Sequence, residues 1–209
     1  HAGLDLELWR WPLLDAAGNS SAMPGGGREL DLSQGIALLE VPTRAMSRAE
    51  GDIHLYGNPH YWLDPENARV MAQAVCEKLC AIDPEHEQTY HARLQAWLAR
   101  LEERIPQWQA RMAPFHGREL IGYHNEWPYL MRFAGLRAGQ FLEPKPGIPP
   151  TPKHVKFLEG YIRERRVPAI VQSTYFPKDT SRALARRTGT AVVQLCHNVG
   201  ELPACSDYV

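Results

Sequence analysis

Apolar residues recur three and four apart over Tyr90, Leu94, Trp97, Leu98, Leu101, Ile105, Trp108 and Met112, and this run constrains the chain more than any other feature. Such spacing returns to one face of an α-helix at every turn. It predicts a single amphipathic helix from about 84 to 112, opened by Asp83-Pro84-Glu85 and interrupted near Pro106, where the ring removes a hydrogen bond. A helix of that length is a coiled-coil arm or a rigid spacer. The texture of the chain differs on its two sides, which favours the spacer.

Ahead of the helix, Asp64-Pro65-Glu66 is a second start signal, with Asp as cap and Pro at the first helical position, and helical spacing follows from Ala68 to Leu79. The stretches Asp15 to Arg28 and Pro42 to Asp64 lack periodicity, are rich in Gly, Ser, Asn and Pro, and read as loops. Beyond Pro114 short apolar runs alternate with helical ones. Strands are expected at Leu120 to Tyr123, Arg137 to Leu142, Ala169 to Val171 and Ala191 to Leu195, with helices at Glu126 to Phe133, Pro152 to Arg165 and Ser181 to Arg187. That alternation implies an α/β fold of βαβ units around a parallel sheet, with the ligand site at the carboxyl ends of the strands.

Charge removes one class of partner. The chain carries 23 Lys and Arg against 24 Asp and Glu, so it has no field suited to a phosphate backbone, and nucleic acid is not an expected partner. No apolar run is long enough to span a membrane, and no basic segment followed by an apolar one marks a secretory leader. No GxSxG elbow, P-loop, GxGxxG or HExxH is present, so hydrolytic, nucleotide-binding and zinc-peptidase chemistries lack their local signatures. Cys76 and Cys80, four apart on a helix, read as small buried hydrophobes. Cys196 and Cys205 flank a loop and suit a disulfide in an oxidising compartment.

Of the nine histidines, His60 and His124 stand out, each following an extended segment and preceding a helix. A parallel sheet presents side chains to a crevice at such positions, and imidazole is the commonest ligand for zinc and its neighbours. His86 and His91 fall on the polar side of the long helix, His116 in a turn, His154 at a helix start, and His54 in the loop before His60.

The segments around the two histidines carry a family resemblance. Asn58-Pro59-His60-Tyr61-Trp62-Leu63-Asp64-Pro65 resembles the PHxWLDP motif of the solute-binding proteins of zinc and manganese ABC transporters, and Tyr123-His124-Asn125-Glu126-Trp127-Pro128-Tyr129 resembles that family's second ligand segment. Phe141-Leu142-Glu143-Pro144-Lys145-Pro146-Gly147-Ile148-Pro149-Pro150 is similar to the signature of one branch. The resemblance implies two Rossmann-like βα lobes joined by one long rigid helix: 1–83 as part of an N-terminal lobe that is incomplete, 84–113 as the linking helix, and 114–209 as the C-terminal lobe.

It further implies a monomeric extracytoplasmic or periplasmic protein, anchored through a segment ahead of this chain, that delivers zinc, or else manganese, to a membrane permease. His60 and His124 are then ligands, and a further ligand present early in the family's first lobe is missing. Where many members place a late carboxylate ligand, this chain has Cys196 and His197, each of which suits zinc better than manganese. Two other readings stay open at this point: a metal-dependent hydrolase using Glu126 or Asp64 as base, and an adhesin on the same fold.

Overall fold

The computed structural model describes residues 1–43 and 54–209, which fall into two compact units. The first comprises the N-terminal residues and His54–Pro106; the second comprises Gln107–Val209. Part of the loop expected from Pro42 to Asp64 lies outside the described residues.

The first unit is helical. Helix α1, Arg10–Ala17, takes in Asp15 to Ala17, which were expected in a loop, and ends at Gly18 in the left-handed conformation with φ 60°. Its lack of an apolar stripe explains why it left no periodic signal: none of its residues is buried. Helix α2, Pro65–Ile82, starts where the cap signal predicts, with the Asp64 carboxylate accepting the Glu66 N–H at 2.9 Å. Pro65, Asn67, Ala68 and Cys76 form its buried positions.

Helix α3, Glu87–Met112, is the long helix of the sequence, with Leu98, Leu101 and Ile105 buried. The division between the units falls within it, at Pro106. Its start corrects one expectation. Asp83 makes no capping hydrogen bond, and Pro84–His86 form a short 3-10 turn before α3 begins. The Asp83 carboxylate instead accepts from the Tyr90 hydroxyl at 2.5 Å and faces His86 Nδ1 at 3.0 Å.

The second unit is a parallel α/β layer. Strands β1 (Glu119–Gly122), β2 (Arg137–Phe141), β3 (Ala169–Ser173) and β4 (Ala191–Leu195) lie in the order β2-β1-β3-β4, all parallel. Helices α4 (Pro128–Phe133), α5 (Pro152–Arg165) and α6 (Asp179–Thr188) connect them. Residues Ile121, Leu142, Leu158, Ile162, Ile170 and Leu184 are nearly inaccessible and form one core between sheet and helices. Because β1 is followed by β2 on one side and β3 lies on the other, the chain direction switches between β1 and β3. The carboxyl ends of those strands flank the crevice where open α/β sheets bind ligands.

Candidate metal centre

All four strands deliver polar side chains at their carboxyl ends: His124 after β1, Glu143 after β2, Ser173 to Tyr175 at and beyond β3, and His197 after β4. The exit from β1 is tightly built. A Cβ on Gly122 would stand 2.8 Å from the His124 carbonyl oxygen and 2.9 Å from the Phe141 ring, so only glycine lets the chain turn here. Tyr123 donates its N–H to the Val171 carbonyl and accepts from Glu143 N, tying the turn to β3 and to the residues after β2. The Tyr123 ring stacks on Phe176 with centroids 4.3 Å apart, and His124 lies 6.0 Å from the same phenyl.

His124 Nδ1 is 2.7 Å from Glu143 Oε2. A carboxylate only accepts, so Nδ1 carries the proton and Nε2 the lone pair. Glu143 also accepts the Gly147 N–H at 3.2 Å, which holds the carboxylate in place. A histidine that gives one ring proton to a carboxylate and its other nitrogen to a cation is the usual arrangement at protein metal sites.

His60 is set in the same way within the first unit. It is buried, and the Asn58 Oδ1 accepts from its backbone N–H at 3.1 Å and from its Nδ1 at 2.9 Å. The orientation of the Asn58 amide follows from its other contact, Nδ2 donating to Glu40 Oε2 at 3.0 Å, because a carboxylate cannot face the amide oxygen. Nδ1 of His60 is therefore the protonated nitrogen and Nε2 the basic one. His54 lies against His60 edge-to-face, with centroids 5.3 Å apart. The sequence places His54 only in the loop before His60, because a six-residue separation in a loop carries no periodic signal.

Glu126 is fully buried, and its carboxylate accepts from Ser173 N at 3.3 Å and the Tyr175 hydroxyl at 2.8 Å. Burial pushes its carboxyl up, partly offset by the donors from Ser173 and Tyr175. Burial also pushes the Tyr175 phenol up, with the Glu126 charge second. Glu126 is thus engaged in holding the β3 exit, as Asp64 is in capping α2. Both carboxylates named as a hydrolase's general base are committed to protein donors, and that reading is not favoured.

His197 is buried, with Nε2 3.9 Å from Glu126 Oε2 and its ring edge-to-face against Trp127 and Tyr175. Desolvation lowers its pKa first, opposed by the Glu201 charge and reinforced by His124. The neutral imidazole, the form that binds metals, is the favoured one. Glu201 gathers the loop beneath it, accepting from His197 N at 3.1 Å, Asn198 N at 2.8 Å and Thr174 Oγ1 at 2.9 Å. Cys196 does not fit the ligand role expected of it. Its sulfur is bonded to Cys205, and a disulfide offers no thiolate to a metal.

The chain belongs to the family described as zinc-uptake complex component A, periplasmic, whose model matches residues 1–209. Among curated relatives, a protein of Treponema pallidum (strain Nichols) described as metal-binding is 27% identical over 194 residues, 91% of this chain and 60% of its own length. The iron-binding protein YfeA of Yersinia pestis is 25% identical over 146 residues, covering 67% of this chain and 46% of its own length. The chain thus spans less than two thirds of these relatives. A crystal structure of ZnuA matches with a TM-score of 0.75 and 26% identity over 94% of this chain and 70% of the other. A zinc-bound variant of AdcAII from Streptococcus pneumoniae matches at 0.63 and 26%, over 80% of this chain and 60% of the other. The relatives thus include proteins named for zinc and for iron.

Proposed function

We propose that this protein captures a divalent transition metal outside the cytoplasm, zinc in preference to manganese, and passes it as a monomer to an ABC permease. The captured ion is its cargo, with His60 and His124 as ligands through Nε2 and with His54 and His197 as further nitrogen donors. The observation that carries this is the matched setting of the two histidines: each has its Nδ1 proton committed to an oxygen, Asn58 for one and Glu143 for the other. Nitrogen-rich ligand sets favour zinc, and oxygen-rich sets favour manganese. Family membership supports transport over catalysis.

Isothermal titration of metal-free protein with zinc and then manganese tests the reading. His60→Ala and His124→Ala are each compared with a parent in which Cys76 and Cys80 are replaced by Ser, so that no thiol contributes heat. Loss of tight zinc binding in each variant, with far-UV dichroism unchanged, is the expected result. Zinc affinity equal to that of the parent in either variant would overturn the ligand assignment.

A further inference from the structure

Two cysteines four apart on α2 point toward one histidine on α3. Cys76 Sγ lies 3.7 Å from His91 Nδ1, and Cys80 Sγ lies 3.8 Å from His91 Nε2. Cys76 is buried and Cys80 partly so, and neither is in a disulfide. Glu87, one turn before His91 on α3, sets its Oε1 3.5 Å from His91 Nε2. Ligand atoms of Cys76, Cys80 and His91 all lie within 4.8 Å of one another. A second tie holds these helices in register, Arg69 of α2 pairing with Glu102 of α3 at 3.3 Å. The pairings 76 to 91 and 69 to 102 run in opposite senses along the two helices, so α2 and α3 are antiparallel.

We propose that Cys76, Cys80 and His91 form a second metal site, specific for a thiophilic d10 cation such as zinc, with Glu87 orienting the imidazole. The site lies wholly within the first unit and is separate from the histidines assigned to the captured ion. A tetrahedral zinc with bonds of about 2.3 Å to sulfur and about 2.0 Å to nitrogen holds those donors roughly 3.6 Å apart, near the 3.7 Å that separates Cys76 Sγ from His91 Nδ1. Only one ring nitrogen can bind. Glu87 faces Nε2 and accepts from its N–H, which leaves Nδ1 as the ligand and repeats the carboxylate–imidazole pairing of Glu143 with His124. Such a metal would staple the start of α3 to α2.

Cadmium is the probe, because thiolate ligation gives a ligand-to-metal charge-transfer band in the ultraviolet that imidazole and carboxylate do not. The full chain carrying His60→Ala and His124→Ala is purified from an oxidising compartment without reductant and titrated with cadmium. One equivalent with the thiolate band is expected. The band should vanish with Cys76→Ser plus Cys80→Ser, and His91→Ala, at a half-exposed ring that does not threaten folding, should weaken binding more than about tenfold. No thiolate band while both thiols remain titratable would overturn the proposal. So would finding Cys76 and Cys80 joined to each other in the purified protein. Because the His60 and His124 ligands are removed throughout, failure here leaves the cargo-site reading standing, and failure there leaves this one.

Discussion

Glu143 and His124 sit on the ends of adjacent strands, β2 and β1, and meet through a 2.7 Å contact between carboxylate and Nδ1. Replacing Glu143 by Gln lets the imidazole choose either tautomer and turn in its setting. Zinc binding should weaken by about 10- to 100-fold with the fold intact. Titration calorimetry on Glu143→Gln checks this, and unchanged affinity would mean that the contact does not prepare the ring.

Asn58 performs the equivalent service for His60 with a neutral amide. Asn58→Ala removes the acceptor for two donors on His60 and the donor to Glu40. Since Asn58 is buried, the expected loss is about 1–3 kcal/mol of stability, read from the denaturant midpoint, together with weaker zinc binding.

At the β3 exit the Tyr175 hydroxyl serves a buried carboxylate. Tyr175→Phe should destabilise by about 1–3 kcal/mol, because Glu126 stays buried with one donor fewer. Glu126→Gln in the same protein should recover part of that, since an uncharged amide costs less to keep out of water. A double-mutant cycle by urea denaturation measures the coupling. Full additivity would show that the two side chains do not interact.

Asp83 supplies a pH signature. Its carboxyl is lowered first by the Tyr90 hydroxyl and then by His86. A depressed carboxyl favours the folded state above its unfolded pKa of about 3.9, and that contribution disappears as pH falls through the folded value. Tyr90→Phe should therefore lower the thermal midpoint at pH 6, with the difference from wild type closing below about pH 4. A difference constant down to pH 3 would assign the effect to packing of the ring.

Much of this architecture was legible because it rests on local rules. The Asp64 cap, the Pro152–Arg165 helix and the β4 strand Ala191–Leu195 each follow from a few neighbouring residues, and the structure places them where those residues predict. The sequence at Asp83 satisfies the same capping rule yet fails it, because Tyr90 and His86 compete for the carboxylate. The spacing puts His91 on the polar face of its helix, which holds for the helix taken alone. What periodicity cannot express is the register between two helices, and register is what brings His91 to Cys76 and Cys80. The roles of Asn58 and Glu143 were hidden for a related reason. Both stand inside recognisable motifs, but only the fold reveals which nitrogen each one addresses.

The bond between Cys196 and Cys205 tethers the loop that carries His197 and Glu201. It also edits the donor inventory. With both sulfurs in the bond, the loop offers nitrogen and oxygen donors but no thiolate, a set suited to borderline cations rather than to the softest ones.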